Sequence, residues 1–277
     1  MAGAGAGLGR RHEEGEKGLS DRELGKADLH VHTALGDGMA SPREILEYVE
    51  THTDLDVIAI TDHDSLRGAW ETRELWAQGS YRFQVVMGME VTALEGHLLA
   101  LFIEEPLPSL RPAEEIIAAI HRQGGLCIVP HPFSWLTRSL GRRALERLLA
   151  SGREGVYLDG LETANASPGA KPGQRPAREL NQRRYHLAEV GGSDAHFLAA
   201  IGSAYTLFPG RTAEELRQAI LERRTRGVNG RHPTLWELGL GQVLRQSWRG
   251  LTVTPRTVGL WPTARSFMKR LFPWAPM

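Results

Sequence analysis

From residue 27 onward, short apolar runs alternate with stretches of helical periodicity. "DLHVH" and "LDVIAIT" are compact apolar runs, and between them "SPREILEYVETH" puts Ile45, Leu46 and Val49 on one helical face. Ser41 is placed to cap that helix and Pro42 to occupy its first position. A second helix is predicted from about Ser65 to Gln78, carrying Trp70, Leu75 and Trp76. "FQVVMGMEV" and "GHLLALFI" are two strands separated by a few residues, which predicts a hairpin or sharp reversal. "RPAEEIIAAIHRQGG" predicts a helix with Pro near its start and Gly past its end, followed by the strand "LCIVPH". "LDGLETAN" and "HLAEVGGSDAH" add two strand-to-loop transitions around a helix near Ala177–Arg184. "GSAYTLF" and the helix "TAEELRQAILERR" close the series. Strands alternating with helices predict an α/β fold with a mostly parallel sheet, open or closed into a barrel.

The two ends differ. Residues 1–26 are Gly/Ala-rich and then mixed-charge, and read as a disordered tail. Residues 231–277 carry seven Arg/Lys against one acid, Glu237, and four of the chain's seven tryptophans: Trp236, Trp248, Trp261 and Trp274. In "WPTARSFMKRLFPWAPM", Phe267, Leu271 and Phe272 form an apolar set beside Arg265, Lys269 and Arg270. The expectation is a helical extension packed on a main domain spanning 27–230. Peripheral contact of 231–277 with a membrane or an acidic partner is the second reading.

At 277 residues the chain can bury a large core, with 41% hydrophobic and 24% charged residues. Lys+Arg and Asp+Glu are both 33, so no global basic field draws in nucleic acid. The lone cysteine, Cys127, sits in an apolar run, which excludes an intrachain disulfide and a thiolate zinc cluster. No apolar stretch approaches the roughly 18–20 residues of a membrane span. The N-terminus lacks the apolar core of a signal peptide, so the expected location is cytoplasmic.

Chemistry gathers at the strand ends. The first ends in His30 and His32, with Asp37 just beyond; the second in Asp62, His63 and Asp64; the third in Glu90. His97 opens the next strand, His131 ends "CIVPH", and Asp194 and His196 end "VGGSDAH". In parallel α/β folds these strand edges face one crevice. Imidazole and carboxylate without thiolate suit zinc, manganese or iron, and the six histidines with Asp37, Glu90 and Asp194, nine groups, are too many for one ion. Shared carboxylates suit a multinuclear centre that converts bound water to a nucleophile. His12, His52, His121, His186 and His232 receive no role.

In this order, "DLHVHT…GDG", "IAITDHDS", "GMEVT…GH", "VPHP" and "GGSDAH" resemble the successive motifs of the polymerase-and-histidinol-phosphatase (PHP) superfamily, from about Asp28 to Gly227. "DGLETAN" and "GGSDAHFLAAIGSAYTLF" resemble its stand-alone phosphoesterase branch, some members of which act on nucleotides or RNA ends. The resemblance implies a distorted seven-stranded β/α barrel holding two to three divalent ions for phosphoester hydrolysis. It implies that His30, His32, Glu90 and Asp194 hold one ion, and that Glu90 bridges to a second held with His97 and His131. Asp37, His63 and His196 would hold the third, with Glu90, Asp194 and His196 closest to the chemistry. The substrate would be a small phosphate ester, a nucleotide or a nucleic-acid end, cleaved by a metal-bridging hydroxide. Arg67 and Arg138 are candidate phosphate clamps, and Trp135 a stacking surface. The alternatives are a hydrolase of carboxylic or carbamate esters on the same site, and a non-catalytic metal-binding module.

Overall fold

The computed structural model describes residues 24–134 and 137–253. Trp135, residues 1–23, and the helix expected around Phe267, Leu271 and Phe272 lie outside the described residues. The chain runs β1 (Leu24–Val31), α1 (Pro42–His52), β2 (Val57–Ile60), α2 (Arg67–Gln78), β3 (Gln84–Thr92), β4 (His97–Leu101) and α3 (Ala113–Arg122). It continues with β5 (Leu126–Val129), α4 (Arg142–Leu149), β6 (Gly160–Asn165), α5 (Lys171–Leu180) and β7 (Ala188–Gly192). Last come β8 (Ala204–Pro209), α6 (Ala213–Leu221), β9 (Arg226–Asn229), α7 (Leu235–Leu238) and α8 (Leu240–Thr252). None of the described helices is long and apolar enough to cross a membrane.

The local signals are realised where they were strongest. Ser41 and Glu44 form a reciprocal capping box at the start of α1, and Thr212 and Glu215 form another at α6. The two apolar runs after α2 are an antiparallel hairpin with Glu90 opposite Leu99 and Thr92 opposite His97. Four expectations need correction. The first strand begins at Leu24, inside the expected tail. The helix expected near Ala177–Arg184 is α5, which starts earlier at Lys171 and passes through a π turn at Asn181–Tyr185. Among the described residues the sheet has nine strands rather than seven, in the order β7-β6-β5-β4-β3-β2-β1-β8-β9. β8 is the expected run "GSAYTLF" and pairs antiparallel with both β1 and β9, whereas β9 (RGVN) is too short and polar to read from periodicity. Four of the eight pairings are antiparallel, so the sheet is mixed rather than mostly parallel.

The sheet curls until the loop after β7 meets β1. Ala195 accepts from His32 N at 2.9 Å and donates to His30 O at 3.1 Å. Gly191 and Gly192 permit this closure: a Cβ on Gly191 would stand 2.2 Å from Tyr205 O, and one on Gly192 2.6 Å from His30 Cβ. Inside, Ala27, Leu29, Val57, Ala59, Leu99, Ile128 and Val190 form one apolar cluster with Leu216, Ala219 and Ile220 of α6. A larger cluster joins the outer sheet face to α1–α4. Apolar side chains thus fill one end of the barrel, and its other end is left to polar groups.

Candidate metal centre

A register shift aims the first two histidines. Asp28 lies opposite Ile58 but Val31 opposite Ile60, so three steps along β1 match two along β2. The extra residue resets the alternation of the strand. Ala27 and Leu29 face the interior cluster below it, and His30 and His32 face the interior above it. Glu90 enters from β3, and His97 from β4, whose antiparallel direction brings its first residue to the same edge. His63 follows β2, His131 follows β5, and Asp194 and His196 follow β7. His131 and Asp194 are held at positive φ (28° and 55°), a strain that surrounding contacts must sustain.

Five of the nine expected residues surround Glu90, and Asp194, Asp37 and His196 join them through His30, His32 and His63. Its Oε2 stands 3.2 Å from His30 Nε2, 3.5 Å from His32 Nε2 and 3.2 Å from His63 Nδ1. Its Oε1 stands 2.7 Å from His97 Nδ1 and 2.9 Å from His131 Nε2. Asp194 Oδ1 is 3.3 Å from His32 Nε2 and 3.5 Å from His30 Nε2, while Asp37 Oδ2 is 3.3 Å from His196 Nε2 and 3.9 Å from His63 Nε2. Three groups bring one donor atom per residue within 4.8 Å of one another: His30, His32, Glu90 and Asp194; His32, Asp37, His63 and His196; and His63, Glu90 and His97. The first is the grouping the motifs implied. The second adds His32 to the implied set, and the third has His63 where His131 was expected, with His131 set against the same Glu90 oxygen.

These donors fit a divalent cation. Both nitrogens of His32, Nδ1 of His63, Nδ1 of His97 and Oδ1 of Asp37 are buried with no hydrogen-bond partner. A native interior rarely leaves such atoms unsatisfied. Burial and the neighbouring His196 and His63 push the His32 imidazole down to about 4, and burial also lowers His97, so both are in the neutral, ligating form. Burial opposes ionisation of Glu90, Asp194 and Asp37, yet the surrounding histidines outweigh it and hold all three below the usual carboxylate range. Burial likewise opposes charge on His196, but Asp37 and Asp194 raise it to about 10. Anionic carboxylates in a buried pocket call for positive charge, which a bound cation supplies.

A supporting layer surrounds the donors, and sequence reading passed over most of it. Glu162, fully buried in β6, lies 2.9 Å from His30 Nδ1 and accepts from His131 N (2.6 Å) and Asn165 Nδ2 (2.8 Å). Asp28 accepts from Ser193 N and Gly202 N, both at 2.8 Å, tying β1 to the loop that carries Asp194. Asp62 accepts from Thr33 N and Oγ1, both at 2.6 Å, and Asp64 from Thr92 N (2.7 Å) and Oγ1 (2.6 Å). Asp62 and Asp64 therefore brace the loops around His63 rather than facing the donor groups. The only signals available were a carboxylate inside the apolar run "LDGLETAN" and an aspartate two places before His30.

A cavity of about 1150 Å³ opens over the cluster, lined by Arg138, Lys171, His232, Gln246 and Ser247 among others. Arg138 therefore stands where a clamp was expected, within 3.3–3.5 Å of the carbonyls of Ala93 and Leu94. Arg67 is exposed at the start of α2, outside the cavity lining. The extension, through α8, supplies part of the cavity wall.

Residues 176–225 match the PHP-associated family. An uncharacterized protein from Methanocaldococcus jannaschii is 37% identical over 152 residues, which is 51% of this chain and 82% of that protein. Phosphoribosyl 1,2-cyclic phosphate 1,2-diphosphodiesterase of Eggerthella lenta is 35% identical over 89 residues, 30% of this chain and 33% of that protein. Among solved structures, a two-domain protein from Bacteroides vulgatus containing a predicted PHP-like metal-dependent phosphoesterase is similar at a TM-score of 0.60 and 20% identity. The likeness covers 88% of this chain and 75% of that one. The chain belongs to the PHP superfamily, and its distorted barrel is the fold this superfamily implies.

Proposed function

We propose that this protein is a metal-dependent phosphoesterase whose centre holds two to three divalent ions on His30, His32, Asp37, His63, Glu90, His97, His131, Asp194 and His196. The observation that carries the reading is Glu90, whose two oxygens face separate sets of histidines as a bridging carboxylate does. Zinc, manganese or iron suits this imidazole–carboxylate set. Bound there, divalent ions supply Lewis-acid charge and acidify coordinated water.

The chain's own groups do the rest. Glu162 holds the His30 ring from behind and Asp64 fixes the loop beside His63, so the donors are set before any ligand arrives. His63 and His196 are the most open of the nine, with side chains 13% and 16% exposed, and face the cavity from which substrate enters. Arg138 and Lys171 line that cavity and favour a phosphate ester over a neutral carboxylic ester. The named diesterase relative supports the same class. A panel of phosphate monoesters, phosphodiesters and carboxylic esters, run on manganese- or zinc-loaded protein, tests it. Turnover of phosphate esters is expected; turnover confined to carboxylic esters overturns the reading.

A further inference from the structure

The extension was expected to pack on the main domain; α8 does lie on it, and the apolar set Phe267, Leu271 and Phe272 falls outside the described residues. None of the residues of α8 is buried. The helix rests on the mouth of the site by the side that carries Val243, Gln246, Ser247 and Gly250. Arg249 Nη2 donates to the carbonyls of Ala34 and Gly36 at 2.7 Å each, and a Cβ on Gly250 would lie 3.5 Å from Asp37 Oδ2. Facing outward are Leu240, Leu244 and Trp248, one turn apart, 63–66% exposed, continued by Trp236 at 95%. An isolated exposed leucine means nothing, but an aligned aromatic–leucine ridge on one helix marks an interaction surface.

Charge identifies the occupant. Arg245 is exposed beside Leu244, and the one acid in residues 231–277, Glu237, is ion-paired to Arg231. A second copy pairing two-fold on this ridge would set Arg245 against its own like charge. The sequence beyond residue 253 brings only further cations, Arg256, Arg265, Lys269 and Arg270. Tryptophan, leucine and an exposed arginine on one helix, followed in sequence by four further cations, are the composition that lies in the interface of an anionic bilayer. We infer that the ridge of Trp236, Leu240, Leu244 and Trp248 is a docking surface for an anionic lipid bilayer. It rests on exposure and charge alone and does not depend on the reaction proposed above. A docked α8 sets the mouth of the site beside the lipid surface.

The test is sedimentation of the full chain with vesicles of phosphatidylcholine alone or with about 30 mol% phosphatidylglycerol, at low and raised salt. Binding is expected only to the anionic vesicles and falling with salt. Leu244→Asp with Trp248→Asp is expected to weaken it by about tenfold or more, and Arg245→Glu by a smaller factor. Both aspartates replace exposed side chains, so the melting temperature serves as the control for folding. Vesicle binding that the double variant retains overturns the proposal, as does no binding at low salt. Light scattering that shows a dimer dissolved by the double variant also overturns it, because a second copy is then the occupant.

Discussion

Glu162 lies 2.9 Å from His30 Nδ1, while Nε2 of the same ring faces Glu90 at 3.2 Å. A carboxylate behind one ring nitrogen places the N–H there and leaves the other nitrogen's lone pair for a metal. Glu162→Gln keeps the shape and reverses this hydrogen-bonding logic, since the amide also reaches His131 N. The expected result is a loss of about 10- to 100-fold in metal affinity or turnover, with the fold retained. Metal titration followed by calorimetry checks it, and unchanged affinity would remove Glu162 from the supporting layer.

Arg249 ties α8 to the turn that delivers Asp37. Arg249→Ala should cost about 1–3 kcal/mol, the usual worth of hydrogen bonds to a charged group, and so lower the melting temperature by several degrees. The same variant should raise KM, because α8 forms a wall of the cavity. Truncation after Gly230 should do both more severely while leaving every proposed donor in the chain. Unchanged melting and unchanged KM in Arg249→Ala would show that α8 rests on the site without shaping it.

That the nine residues of the proposed donor set would meet was legible because they recur at strand ends, a pattern that survives without any knowledge of register. Glu162 was not, since its value comes from closure of the barrel, which brings it to a histidine 132 residues away. The register shift at Asp28–Val31 is equally silent in sequence, although it decides which way His30 points. For α8, the sequence led to the expectation of a helical extension but carried no reading of which face turns outward. A helical face is assigned inward on apolarity, and here the contacts of Arg249 and Gly250 with the Asp37 loop override it. The nine-strand count was missed for a related reason: β9 owes its place to pairing with β8, not to its own composition.

His121, given no role from sequence, carries a pH dependence of stability. Its Nδ1 lies 2.8 Å from Gly155 O and its Nε2 3.0 Å from an Asp159 oxygen, so both nitrogens face acceptors and the ring is best satisfied as imidazolium. Burial opposes the charge, but Asp159 and the Gly155 carbonyl outweigh it and raise the pKa above the ordinary value. A raised folded-state pKa gives stability that is complete below about pH 6.5 and is lost as pH climbs through the folded value. The melting temperature of wild type should therefore exceed that of His121→Asn most at about pH 5.5, with the gap narrowing toward alkaline pH. A gap that widens with pH would contradict the imidazolium assignment.

The central claim is that Glu90 bridges a multinuclear centre, and elemental analysis of purified wild type and Glu90→Gln tests it most directly. Wild type prepared without chelators should carry two to three equivalents of zinc, manganese or iron per chain. Glu90→Gln should lose more than one equivalent together with turnover, whereas His97→Ala, which removes a terminal donor, should lose less. One equivalent or none in wild type, with turnover indifferent to chelation, or full occupancy and activity in Glu90→Gln, would contradict the account.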